Sequence, residues 1–148
     1  MVKLSADGKW YRVCLRLMGD GLPIDEVESK LGLMSSSVGR KGEHLRGDPR
    51  YAKFKTNLWV SKYVADSDVP FEEQVAILLD ALEPKLAALK EILRLSNVKG
   101  ELFLGFGSDN GQGGAIFSPE LLKRIAEYGL SLSLDLYPPS GVEDEASE

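Results

Sequence analysis

The 148-residue sequence predicts an α+β sandwich, with a mostly antiparallel sheet and helices on one of its faces. Three observations carry this. The segments at 10–18 and 130–137 alternate apolar and polar residues with the period of a strand covered on one side. Two helical segments, each opening near a proline and closing with Gly-Leu, lie beside those strands. A long middle segment from Phe71 to Leu93 sets apolar residues three and four apart, as one stripe of a helix. With 43% apolar and 28% charged residues the composition is that of an ordinary soluble domain. At this length folding buries roughly two thirds of the unfolded surface, so a core requires neither metal nor disulfide.

The first strand, Trp10 to Met18, puts Tyr11, Val13, Leu15 and Leu17 on one side and Trp10, Arg12, Cys14, Arg16 and Met18 on the other. It breaks at Gly19-Asp20-Gly21, and the helix entered at Pro23 runs to Leu31-Gly32-Leu33. A weak strand is expected around Ser36-Ser37-Val38, and a firmer one over Asn57–Val64. In Asp66-Ser67-Asp68-Val69-Pro70 short polar side chains can accept from the free amides of the middle helix. Pro84 crowds the carbonyl of Asp80, which predicts a kink or a restart near Leu82-Glu83. Glu101–Phe106 reads as a strand. The glycines of 105–114 then read as a flexible hairpin loop, turned by Asp109-Asn110-Gly111 and leading to a second weak strand, Ala115-Ile116-Phe117.

The last helix, from Ser118-Pro119 to Tyr128-Gly129, feeds the final strand. There Leu130, Leu132, Leu134 and Leu136 share one face, and Ser131, Ser133, Asp135 and Tyr137 share the other. Among familiar arrangements the order of elements is nearest to a ferredoxin-like sandwich. Residues 1–139 are expected to form the single domain. Residues 140–148, with four acids and no base, are expected to form a solvated, disordered tail.

The first strand ending in Gly19-Asp20, the helix from Pro23-Ile24-Asp25-Glu26-Val27 to Gly32-Leu33, the Arg40-Lys41-Gly42-Glu43 turn and Trp59 together resemble a bacterial family known as domain of unknown function 4279. Leu82-Glu83-Pro84-Lys85, Phe117-Ser118-Pro119-Glu120-Leu121-Leu122 and Leu134-Asp135-Leu136-Tyr137 look like its later elements. The resemblance spans about residues 10 to 137. It implies a compact α+β domain without established activity, with an antidote or accessory role as the expectation, and it carries over no catalytic residues.

The chemistry-bearing residues have plain structural readings. Cys14 lies inside a strand, as a small core residue would, and a lone cysteine excludes an internal disulfide. His44 is the only histidine and has no ligand spacing around it, so no metal and no cofactor are expected. The glycines of 105–114 match neither the dinucleotide fingerprint nor the P-loop. Asp20 and Asp25 form a carboxylate pair that helix capping and first-turn electrostatics account for. No nucleophile elbow is present, so no catalytic residue is assigned. No apolar run reaches membrane-spanning length, and Met1–Gly8 lacks the apolar segment of a signal peptide, which makes the cytoplasm the expected compartment.

Charge is distributed unevenly. Residues 39–55 hold a local +4 through Arg40, Lys41, Arg46, Arg50, Lys53 and Lys55, which leaves −9 elsewhere in a chain of net −5. This stretch reads as a solvated loop or as a patch for an acidic partner, with Tyr51 and Phe54 placed to stack on unpaired bases. The acidic remainder argues against extensive nucleic-acid binding. The second candidate surface is the sheet face opposite the helices, with Arg12, Arg16, Trp59, Tyr63, Phe103, Asp135 and Tyr137 assigned to it. Arginines among large aromatics are typical of protein-binding hot spots, although the loop or a second copy in a homodimer would also bury such a face. The expected function is therefore a non-enzymatic protein-binding domain that works through the sheet face or through the acidic remainder of its surface, such as an immunity (antitoxin-like) protein that neutralises a basic toxin. The alternative is a small-ligand or nucleic-acid binding module that uses the 39–55 loop, with Arg40 and Lys41, and the sheet aromatics.

Overall fold

The computed structural model describes residues 8–65 and 68–138. The 140–148 segment, the first seven residues, and Asp66 and Ser67 lie outside the described residues. In chain order come β1 (Lys9–Met18), α1 (Ile24–Leu31), β2 (Ser37–Gly39), β3 (Leu58–Tyr63), α2 (Phe71–Leu82), α3 (Leu86–Arg94), β4 (Lys99–Ser108), α4 (Pro119–Glu127) and β5 (Ser131–Leu136). The five strands form one sheet in the order β2-β3-β1-β4-β5. β1 pairs antiparallel with β3 and β4, β2 pairs antiparallel with β3, and β4 and β5 run parallel across the α4 connection. The α+β class and the mostly antiparallel sheet therefore stand, while this strand order does not establish the finer ferredoxin-like form.

Alternation on β1 separates the two sides. Val13, Leu15 and Leu17 are fully buried and join Leu102 and Leu104 of β4 in one cluster with the apolar stripes of the helices. The helices end where their sequences dictate. Gly32 adopts the left-handed conformation that closes α1, and Gly129 (φ 77°) does so after α4, where a Cβ would be strained. Ser118 caps α4 by accepting from the Leu121 amide at 3.1 Å. Pro84 sits in a single 3₁₀ turn, Glu83–Lys85, that separates α2 from α3, so the restart occurs where proline removes the backbone donor.

Two expectations are corrected. Ala115–Phe117 is irregular rather than a strand, so the 105–114 glycines do not close a hairpin. Ile116 is exposed, and Phe117 anchors the segment edge-on against Phe71, 6.0 Å between ring centres. β4 instead runs straight through Gly105 and Gly107 to Ser108. It needs those glycines because Trp10 of β1 lies across them, and a Cβ at Gly107 would run into the indole. At the entry to α2 Pro70 occupies the N-cap position, and Asp66 and Ser67 of the expected capping run lie outside the described residues.

Candidate functional site

The sheet face away from the helices carries the first cluster. Opposite-strand pairs bring Arg12 to Gly105, Cys14 to Phe103 and Arg16 to Glu101, while β5 sets Ser133 beside Phe103 and Asp135 beside Gly105. The Arg16 guanidinium lies 4.2 Å from the centre of the Phe103 ring and forms an ion pair with Glu101, which also accepts from the Ser133 hydroxyl at 3.0 Å. Arg12 lies 5.4 Å from the Trp10 ring centre, and Trp10 meets Tyr137 at 4.9 Å. Gly105, between Arg12 and Asp135 in the row of pairs, is covered by the edge of the Trp10 ring. Cys14 is covered by these neighbours, and its burial pushes the thiol pKa up, which makes it a poor nucleophile at neutral pH.

A second cluster gathers at the rim, where β1 ends and α1 begins. Asp20 accepts from the Lys41 ammonium at 2.9 Å and from the Thr56 hydroxyl at 2.8 Å. These contacts hold its carboxyl below the usual range, the Lys41 contact most strongly. Arg40 forms an ion pair with Asp25 at 2.5 Å, and this hydrogen bond raises the guanidinium further. Glu28 accepts from both the hydroxyl and the amide of Ser35, which lowers it as well, the hydroxyl more than the amide. The Asn57 side chain accepts from the Lys41 amide and donates to the Leu22 carbonyl, which stitches the 39–55 segment to α1. Two clefts of about 240 and 220 Å³ lie either side of the Asp25–Arg40 pair. Asp20 is thus tied to the loop and does not cap a helix, whereas Asp25 remains a first-turn acid of α1.

The predicted site residues divide between these clusters. Arg12, Arg16, Phe103, Asp135 and Tyr137 share the open face. Trp59 and Tyr63 do not, because they pair with Leu17 and Val13 and so lie on the helix side, where Trp59 is 0% exposed. Arg40 and Lys41 come together at the rim, far less free than a basic loop suggests. Within the same loop Arg50 is bonded to Asp48 at 2.7 Å, Arg46 stacks on Tyr51 at 5.2 Å, and the Phe54 ring lies on Gly39, leaving no room there for a Cβ. His44 donates through Nδ1 to the Tyr51 carbonyl at 2.8 Å. Sequence reasoning missed Trp10 and Glu101 on the open face and Asn57 and Glu28 at the rim. For Trp10 the signal was available in the Gly-x-Gly of β4, since two glycines on one side of a central strand make a seat for a large ring.

Among the described residues no group of three or more histidine, cysteine or carboxylate side chains is placed to hold a metal, and no helix is long and apolar enough to cross a membrane. A family model described as Domain of unknown function (DUF4279) matches residues 9–139. No curated protein and no solved structure matches the chain.

Proposed function

The chain belongs to the DUF4279 family, and we propose that it is a non-enzymatic protein-binding domain whose docking surface is the open face of the sheet. The carrying observation is the arginine pair on that face: Arg12 and Arg16 lie against Trp10 and Phe103, beside Tyr137 and Asp135, with all four helices on the opposite side. Preset arginines on aromatic rings bind at low entropic cost, because stacking already restricts their side chains. An immunity role is one form of this reading: the net charge of −5 would steer a basic toxin toward the domain, while Arg12 and Arg16 on the open face call for acidic or polar groups at the point of contact. The shifted carboxylates Asp20, Asp48 and Glu28 are all lowered, so each is an ionised ion-pair or hydrogen-bond acceptor at neutral pH and none is poised as a general acid. Arg40, Lys41 and Arg50 are each engaged by an acid of the same chain, as Arg16 is by Glu101, so Arg12 is the arginine of the open face on which the test is set.

The test is co-purification of the tagged full chain from its native cell, with Arg12→Glu set against Lys53→Glu/Lys55→Glu and circular dichroism as the check on folding. A stoichiometric protein partner lost with Arg12→Glu and retained with the loop variant is the expected outcome. Loss only with the loop variant would move the docking surface to residues 39–55.

A further inference from the structure

β5 is the long edge strand of the sheet. Leu132, Leu134 and Leu136 point to the helix side, yet 37%, 57% and 67% of their respective surfaces remain exposed. Their counterparts one strand inward, Leu102 and Leu104, are fully buried. Among the described residues no strand pairs with the outer edge of β5. Natural edges are blunted by lysine, proline, bulges or shortness. The opposite edge, β2, uses shortness at three residues, whereas the six residues of β5 include no lysine, no proline and no bulge. Exposed Leu122 on α4 and exposed Ile116 before it extend the apolar surface on the helix side of the molecule.

We propose that β5 pairs antiparallel with β5 of a second copy of this chain, so that two sheets join into one of ten strands. Two features select a second copy as the occupant. First, β5 is self-complementary. The Tyr137 amide bonds back to Phe106, so by strand alternation the backbone groups of Leu132, Leu134 and Leu136 face outward. A twofold axis at Leu134 then sets Leu134 opposite Leu134 and Leu132 opposite Leu136, with both pairs in hydrogen-bonded positions. Second, the charges agree. Asp135, the one charge on β5, falls opposite Ser133 of the other copy and never opposite itself. A stable interface needs about 800 Å² from each partner. One strand falls short of that, so α4 and its exposed Leu122 are expected to contribute.

Sedimentation of the full chain over a wide concentration range tests this. The wild type is expected to be a dimer, Leu134→Lys a monomer with unchanged circular dichroism, and Arg12→Glu still a dimer. A Ser133→Cys/Asp135→Cys double variant, which leaves the edge uncharged, is expected to crosslink to a covalent dimer on mild oxidation, since 133 and 135 face each other in non-hydrogen-bonded positions with Cα atoms about 4.5 Å apart and within disulfide reach. Met34→Cys, more exposed than any leucine of β5 but away from that strand, is expected not to crosslink. A wild type that is monomeric throughout overturns the proposal. So does a dimer that survives Leu134→Lys, which would place the contact on another surface. Neither outcome depends on whether the open face binds a partner.

Discussion

Trp59 is fully enclosed, and its indole N–H is buried without a hydrogen-bond partner among the described residues. Substitution should therefore cost volume and not a hydrogen bond. Trp59→Ala is expected to lower stability by about 3–5 kcal/mol and Trp59→Phe by only about 1–2 kcal/mol, read from urea unfolding midpoints. If Phe costs as much as Ala, the N–H does have a partner. At the rim the deciding residues are Asp20 and Glu28. Both pKa values are lowered on folding, the first mainly by Lys41 and the second mainly by the Ser35 hydroxyl. A carboxyl lowered in this way contributes stability that is fully present above its unfolded pKa and lost as pH falls through its folded value. The ties to Lys41 and Ser35 are accordingly expected to loosen below about pH 4, seen as earlier exchange of those amides in NMR. Asp20→Asn should remove the acid dependence at Lys41 and leave that at Ser35 intact.

The elements differ in how much of their placement the sequence reveals. β1 is legible because its two sides differ sharply, with Val13, Leu15 and Leu17 against Arg12 and Arg16. β3 is not, because Leu58 and Val60 on one side are as apolar as Trp59 and Tyr63 on the other, and only pairing with β1 decides which side faces the helices. The leucines of β5 keep their period, but alternation cannot say whether an edge face is covered. The short apolar run 115–117 has strand composition without a strand partner, a case where pattern alone has no arbiter. Helix ends are read most securely, since capping is local. α4 buries only Ile125 among its own residues and so leans on its ends. Ser118→Ala is expected to cost about 1 kcal/mol, measured as a lower urea midpoint at unchanged slope, and Ser118→Asp should restore it.

At the scale of the whole molecule, one apolar cluster joins all four helices to the same side of the sheet, and β1, the middle strand of five, holds residues of both that cluster and the open face. The β1 part of the open face cannot then melt while the core stays intact, because the same backbone ladder presents Leu15 to the helices and Arg16 to the other side. The two tryptophans report on this separately: Trp10 lies on the open face over Gly107, and Trp59 lies in the core. In a Leu134→Lys background, which keeps protomer concentration out of the measurement, the fluorescence of Trp10 in a Trp59→Phe variant is expected to follow the same unfolding curve as that variant's circular dichroism. The fluorescence of Trp59 in a Trp10→Phe variant should likewise coincide with its own circular dichroism. An earlier fluorescence transition confined to Trp10 would mean that the open face loosens independently of the core, and its arginines would then not be rigidly presented to a partner.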